Sequence, residues 1–149
     1  MGRYLASCLI IFLVLSAPVM ARSTIELDDA NGGGSELQPV LQCVPYARRL
    51  SGISIYGDAH TWWGQAEGRY ARGERPREGA VMAVKPYGNS RLGHVAAVSE
   101  VIDERTVLIS HANWSEPGKI ENNVRAVDVS PDNDWSEVRI WYGPSQSLG

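Results

Sequence analysis

The chain has 149 residues, with 14 Lys and Arg, 17 Asp and Glu, 44% hydrophobic residues and two cysteines. That length holds one domain with its own core, and the apolar share excludes a chain that is disordered throughout. A formal charge of -3 excludes binding by phosphate neutralisation, so nucleic acid is not an expected partner; two cysteines exclude a disulfide scaffold and a four-cysteine zinc site.

Residues 1–21 read as a secretory signal peptide: Arg3, then the apolar run from Leu9 to Leu15, then Pro18 ahead of Val19, Met20 and Ala21. The alternative is a retained anchor. The stretch from Leu5 to Ala21 is short for a span and contains Pro18, so no stable membrane insertion is expected after cleavage. Cys8 precedes the apolar run, the wrong place for a lipoprotein cleavage box. With cleavage after Ala21, Cys43 is the only thiol left. An odd cysteine in an exported chain is a reactive thiol, half of an intermolecular bridge, or a buried bystander. Residues 22–38, with the run Gly32-Gly33-Gly34-Ser35, read as a flexible linker. The patterned domain spans residues 39–143, and 144–149 read as a short polar tail.

Within the domain, Leu41, Val44, Ala47 and Leu50 recur every third residue, and Gly52 follows as a stop. The spacing predicts a short helix with Cys43 and Pro45 in its first turn, where proline is tolerated because the first amides have no partner. Asp58 can cap a second short helix through Trp62 and Gln65. Three strands are predicted at 80–84, 94–101 and 106–113, and a last one at 138–142. Helices first and antiparallel strands after make an α+β domain.

A cysteine in the first turn of a helix sits near the positive end of the helix dipole, which favours thiolate over thiol. It becomes a useful nucleophile when an imidazole shuttles its proton. The chain has His60, His94 and His111 to choose from. His94 follows Gly93 and opens a strand, so its side chain emerges at a sheet end. If residues 102–105 form the hairpin turn, paired numbers sum to 207 and His94 lies opposite Asn113 on one sheet face. A slip of two residues would bring His111 opposite instead. An amide oxygen accepting from one ring nitrogen fixes the tautomer and leaves the other nitrogen for the thiol. The order Cys, His, Asn is also that of papain-like proteases.

Cys43-Val44-Pro45-Tyr46-Ala47 resembles the nucleophile motif of the CHAP family, the cysteine- and histidine-dependent amidohydrolases and peptidases. Gly93-His94-Val95-Ala96-Ala97-Val98 resembles its second motif and Ala112-Asn113-Trp114 its third. The resemblance implies a papain-like CHAP fold, with short N-terminal helices packed on an antiparallel β-sheet. It implies Cys43, His94 and Asn113 as the catalytic set, and amide bonds, mostly those of peptidoglycan, as substrate. Family members often carry a glutamate two residues before the motif asparagine, where it can orient the histidine; here that position is His111. A neutral imidazole accepts a hydrogen bond but supplies no fixed charge, which places the orienting role on Asn113 and leaves His111 as a proton carrier behind the reacting pair.

Other residues have two readings each. Trp62 and Trp63 either stack on sugars or pack the core, with packing the commoner fate of such a pair. Trp114 either shields the His94–Asn113 bond or simply packs, and Tyr46 either lines the cleft or packs the helix. Asn113-Trp114-Ser115 matches a glycosylation acceptor formally, but a residue in a cleft is a poor acceptor. No histidine spacing supports a metal, and the chemistry needs no cofactor. The sequence thus predicts an exported amidase or endopeptidase acting on peptidoglycan or a peptide amide, in the periplasm, at the cell wall or secreted. The alternatives are a non-catalytic cell-wall binding module with the same fold, or an amidase for a small peptide or polyamine amide.

Overall fold

The computed structural model describes residues 39–149. The signal peptide and linker assignments, 1–21 and 22–38, lie outside the described residues. In chain order the elements are helix α1 (Cys43–Ser51), a 3-10 turn (Ala59–Thr61), helix α2 (Trp62–Gln65), and strands β1 (Val81–Val84), β2 (His94–Val101), β3 (Thr106–Ala112), β4 (Ile120–Asp128), β5 (Val138–Tyr142) and β6 (Ser147–Leu148). The six strands form an antiparallel meander in the order β1-β2-β3-β4-β5-β6. Short helices first and an antiparallel sheet after give the α+β arrangement that the sequence pattern predicts.

Helix α1 stops where Gly52 takes a left-handed φ of 72° and returns its amide to the Arg48 carbonyl, the usual role of a glycine after a helix. The buried face is carried by Tyr46 and Ala47, whereas Leu50, expected inside from the three-residue spacing, is largely exposed. Asp58 precedes the 3-10 turn but makes no side-chain cap. Trp62 is core, and Trp63 is about half exposed.

Alternation along the strands feeds two apolar clusters. Val81, Ala83 and Val95 join Ala47, Ile55, Ala59 and Trp62 beneath the helices. Met82, Val84, Ala96 and Val98 join Val107, Ile109, Ala126 and Ile140 in the other cluster. Because β2 is packed on both faces, it reads as an unbroken apolar run, Val95-Ala96-Ala97-Val98, and not as an alternating one. Gly93 makes the start of β2 possible. Its φ is 69° and a Cβ there would lie 2.6 Å from the Val84 carbonyl oxygen, so no other residue can deliver His94 into this position.

Two parts of the fold depart from the expected organisation. Strand β4 falls in a stretch to which the pattern assigned no strand, since Glu121-Asn122-Asn123 are poor strand formers by propensity. Neighbours on both sides override that preference. The segment expected as a polar tail returns instead as β6, pairing Trp141 with Leu148 and Tyr142 with Ser147, and Gly149 exchanges both backbone hydrogen bonds with Ile140. An unpaired sheet edge is what gives such a short polar segment its hydrogen-bond partners.

Candidate active site

Cys43 is the first residue of α1 and a half-buried free thiol. The first amides of a helix have no intrahelical acceptor, and no acidic residue stands in the first turn to offset the positive end of the dipole. Cys43 packs against the helix-side cluster that contains Val95, the neighbour of His94. Its Sγ makes no hydrogen bond among the described residues. Such contacts are commonly long in resting enzymes and tighten around substrate.

His94 opens β2 paired with Val84 and is buried, 5% exposed. Its Nε2 lies 3.0 Å from His111 Nδ1, so this nitrogen is taken, and Nδ1 makes no side-chain hydrogen bond among the described residues. His111 is fully buried on β3, and its Nε2 lies 3.4 Å from Glu121 Oε2 on β4. That separation is longer than a good N–H···O bond. Trp114 lies over both imidazoles, with ring centroids 4.8 Å from His94 and 5.9 Å from His111, and it is fixed by donating Nε1–H to the Trp141 carbonyl. His60 is exposed on the 3-10 turn and belongs to neither pair.

Burial and the neighbouring His111 together lower His94 from 6.5 to about 3. Burial also lowers His111 from 6.5 to about 4, against the opposing pull of the Glu121 carboxylate. Both rings therefore rest neutral near pH 7.

The expected contact between Asn113 and His94 is not made. The register is as anticipated only in part: Ala97 pairs with Ser110 and Val98 with Ile109, summing to 207, but at the turn Val101 pairs with Val107 and not with Thr106, because the ladder shifts by one between Val98 and Glu100. However, β3 ends at Ala112, and Asn113 takes a φ of 62°, which turns its side chain out of the strand alternation. Asn tolerates this left-handed conformation better than most residues. Its Oδ1 accepts from the Gly118 amide at 2.9 Å, and its Nδ2 donates to Gln42 Oε1 at 2.9 Å. Asn113 thus braces the β3–β4 turn against the residue that precedes Cys43. His111, diagonal to His94 across the same ladder, takes the orienting contact without any slip of register.

Gln42 and Glu121 escaped the sequence reading. For Glu121 the only available signal was the apolar–polar alternation of Val124, Arg125 and Ala126, which marks a strand beside β3. Among the described residues, no group of three His, Cys, Asp or Glu is disposed to hold a metal ion.

The site thus sets a helix-borne cysteine, packed against the cluster that contains Val95, beside an antiparallel sheet that carries a buried imidazole whose Nε2 is already engaged. The model of the CHAP domain family matches residues 32–113, more than half of the chain, and the protein belongs to that family. No curated protein and no solved structure matches the chain.

Proposed function

We propose that this protein is an exported cysteine amidohydrolase that cleaves amide bonds in peptidoglycan. Membership of the CHAP family supports amide hydrolysis in general, and the apolar leader at Leu9 to Leu15 supports export to the periplasm, cell wall or exterior. The observation that carries the reading is the 3.0 Å bond from His94 Nε2 to His111 Nδ1, which leaves His94 Nδ1 with a single task.

In this reading Cys43 Sγ attacks the amide carbon while His94 Nδ1 takes the thiol proton. The same proton passes to the departing amine, and the acyl group stays on sulfur. Water then attacks the thioester with His94 again as base, which frees the acid and restores the thiol. The oxyanion of each tetrahedral intermediate falls to the backbone N–H of Cys43, preorganised at the helix start. The part assigned to Asn113 is to hold Gln42, and with it the start of α1, against the β3–β4 turn; His111 holds His94.

Digestion of purified peptidoglycan by the protein, with new termini identified by mass spectrometry, tests this. New amine and carboxyl termini that depend on Cys43 are expected, and Cys43→Ala should release none. Tight binding to the polymer without new termini would make the protein a wall-binding module, and turnover of small peptide amides alone would move the substrate away from the wall.

A further inference from the structure

We propose that Glu121, on the second strand beyond His94, is a positioning residue that acts through His111: its carboxylate fixes the tautomer of His111 and thereby that of His94. This inference rests on the reading of Cys43 and His94 as the reacting pair. It gives the site a chain of four groups, Cys43, His94, His111 and Glu121, of which the first two react.

The β3–β4 ladder is built to make the contact. Ile109 pairs with Val124, but His111 pairs with Glu121, because the register shifts by one between these pairs. Asn122 and Asn123 of β4 together oppose Ser110, and Asn123 takes a left-handed φ of 54°. The Asn123 amide donates to Ser110 Oγ across the irregularity at 3.3 Å. Without this bulge Asn122 would stand opposite His111 and Glu121 would point to the other face of the sheet. A bulge that re-aims one side chain is a recurrent device beside active sites. Asn122, turned the other way, accepts from Tyr46 Oη on α1 at 2.8 Å.

The atoms leave few alternatives. His111 Nε2 and Glu121 Oε2 are both buried, neither has another partner, and each faces the other at 3.4 Å. The second carboxylate oxygen is anchored: Ser115 Oγ donates to Glu121 Oε1 at 2.9 Å while accepting the Gly143 amide at 2.8 Å. Even the backbone is close here, since a Cβ on Gly143 would lie 3.2 Å from Ser115 Oγ and 3.4 Å from Glu121 Oε1.

A carboxylate only accepts, so His111 Nε2 must carry the hydrogen. His111 Nδ1 then has the lone pair and must accept from His94 Nε2–H. His94 Nδ1 is left as a lone pair, the state a general base requires. As His94 takes the thiol proton, the developing positive charge polarises its bond to His111, and the carboxylate beyond answers it. The lowered proton affinity of both rings agrees with two neutral imidazoles at rest, the condition in which the tautomer matters.

The test is the nitrogen chemical shifts of the histidine rings in the full chain labelled with 15N, together with the rate at which iodoacetamide alkylates Cys43 at pH 7. In the unsubstituted protein, His94 and His111 should both show protonated Nε2 and unprotonated Nδ1. Glu121→Leu should shift His111 toward the Nδ1–H form. Glu121→Gln, which keeps volume and an acceptor but not the charge, should slow alkylation roughly tenfold, the scale of one contact worth about 1.4 kcal/mol. Combining His111→Glu with Glu121→Gln should return the rate to within about threefold of the original, a rescue that a purely structural Glu121 would not allow. Protonated Nδ1 on His111 in the unsubstituted protein overturns the proposal. So does an unchanged rate in Glu121→Gln, or a double variant no faster than the single one. Should Cys43 of the unsubstituted protein react no faster than a free thiol, it is the reacting pair that falls, and the ring spectra still decide on Glu121. If Glu121→Leu fails to fold, the spectra of the unsubstituted protein and of Glu121→Gln carry the decision.

Discussion

The two ladders that share β3 each contain an irregularity, and they use it differently. In β2–β3 the register shifts between Val98 and Glu100, close to the hairpin turn and far from His94. Beyond the shift the pairs Val98–Ile109 and Ala97–Ser110 keep one count, so the shift is a local matter of the turn. In β3–β4 the shift falls between Ile109 and His111, and it chooses which side chain of β4 meets the buried imidazole. A bulge is therefore a detail of the fold in one ladder and part of the chemistry in the other, and its distance from the site makes the difference. Burial follows the same division. At its His94 end β2 is buried among apolar neighbours, whereas β4 brings Glu121 inside, a carboxylate that burial would penalise without a partner.

Acid should have the largest effect on this arrangement. His94 is lowered to about 3 and His111 to about 4, while both titrate near 6.5 in the unfolded chain. Between those values the unfolded state binds more protons, so stability rises with pH. The contribution from keeping the rings neutral is complete above about pH 6.5 and is lost as the pH falls toward 4 and then 3. Urea midpoints measured from pH 7.5 to 4 should fall accordingly, and His111→Gln, which removes one of the two groups, should flatten the decline. A midpoint that climbs on acidification would mean that one ring is charged in the folded protein.

The next effect separates His111 from Asn113. His111→Gln should lower kcat on an amide substrate roughly tenfold, because the amide still accepts from His94 but no longer links it to Glu121. Asn113→Ala should change kcat by no more than about threefold while costing about 1–2 kcal/mol of stability, the scale of losing two hydrogen bonds in a turn. The opposite ranking in kcat would return the orienting role to Asn113 and leave the bulge of the second ladder without a catalytic purpose.

The smallest effect concerns the other side of the bulge. Tyr46→Phe removes the donor to Asn122 and should cost about 1 kcal/mol in a denaturant titration. No measurable loss would mean that the helix does not help to hold β4 in its shifted register.

The amino-acid sequence by itself determined the placement of Cys43 in the first turn of a helix, since a proline two residues on, an apolar residue at every third position and a glycine stop have few other readings. It determined His94 at a strand opening, because Gly93 precedes an apolar run too short for a helix. The hairpin numbering was legible only in part: the turn errs by one residue, and the register shift between Val98 and Glu100 restores the count at Ala97 and Ser110. Only the tertiary structure decided what became of the third member. A left-handed φ at Asn113 is a local choice that strand alternation does not encode, and it sends the amide to Gln42. The pairing of Glu121 with His111 depends on a one-residue bulge in a polar strand of low propensity, and that bulge is stabilised by contacts from Ser110, Ser115 and Tyr46 that are distant or indirect in sequence. A period-two pattern specifies a face only while the register is unbroken, and here the break falls at the position where a carboxylate and an amide compete for one imidazole.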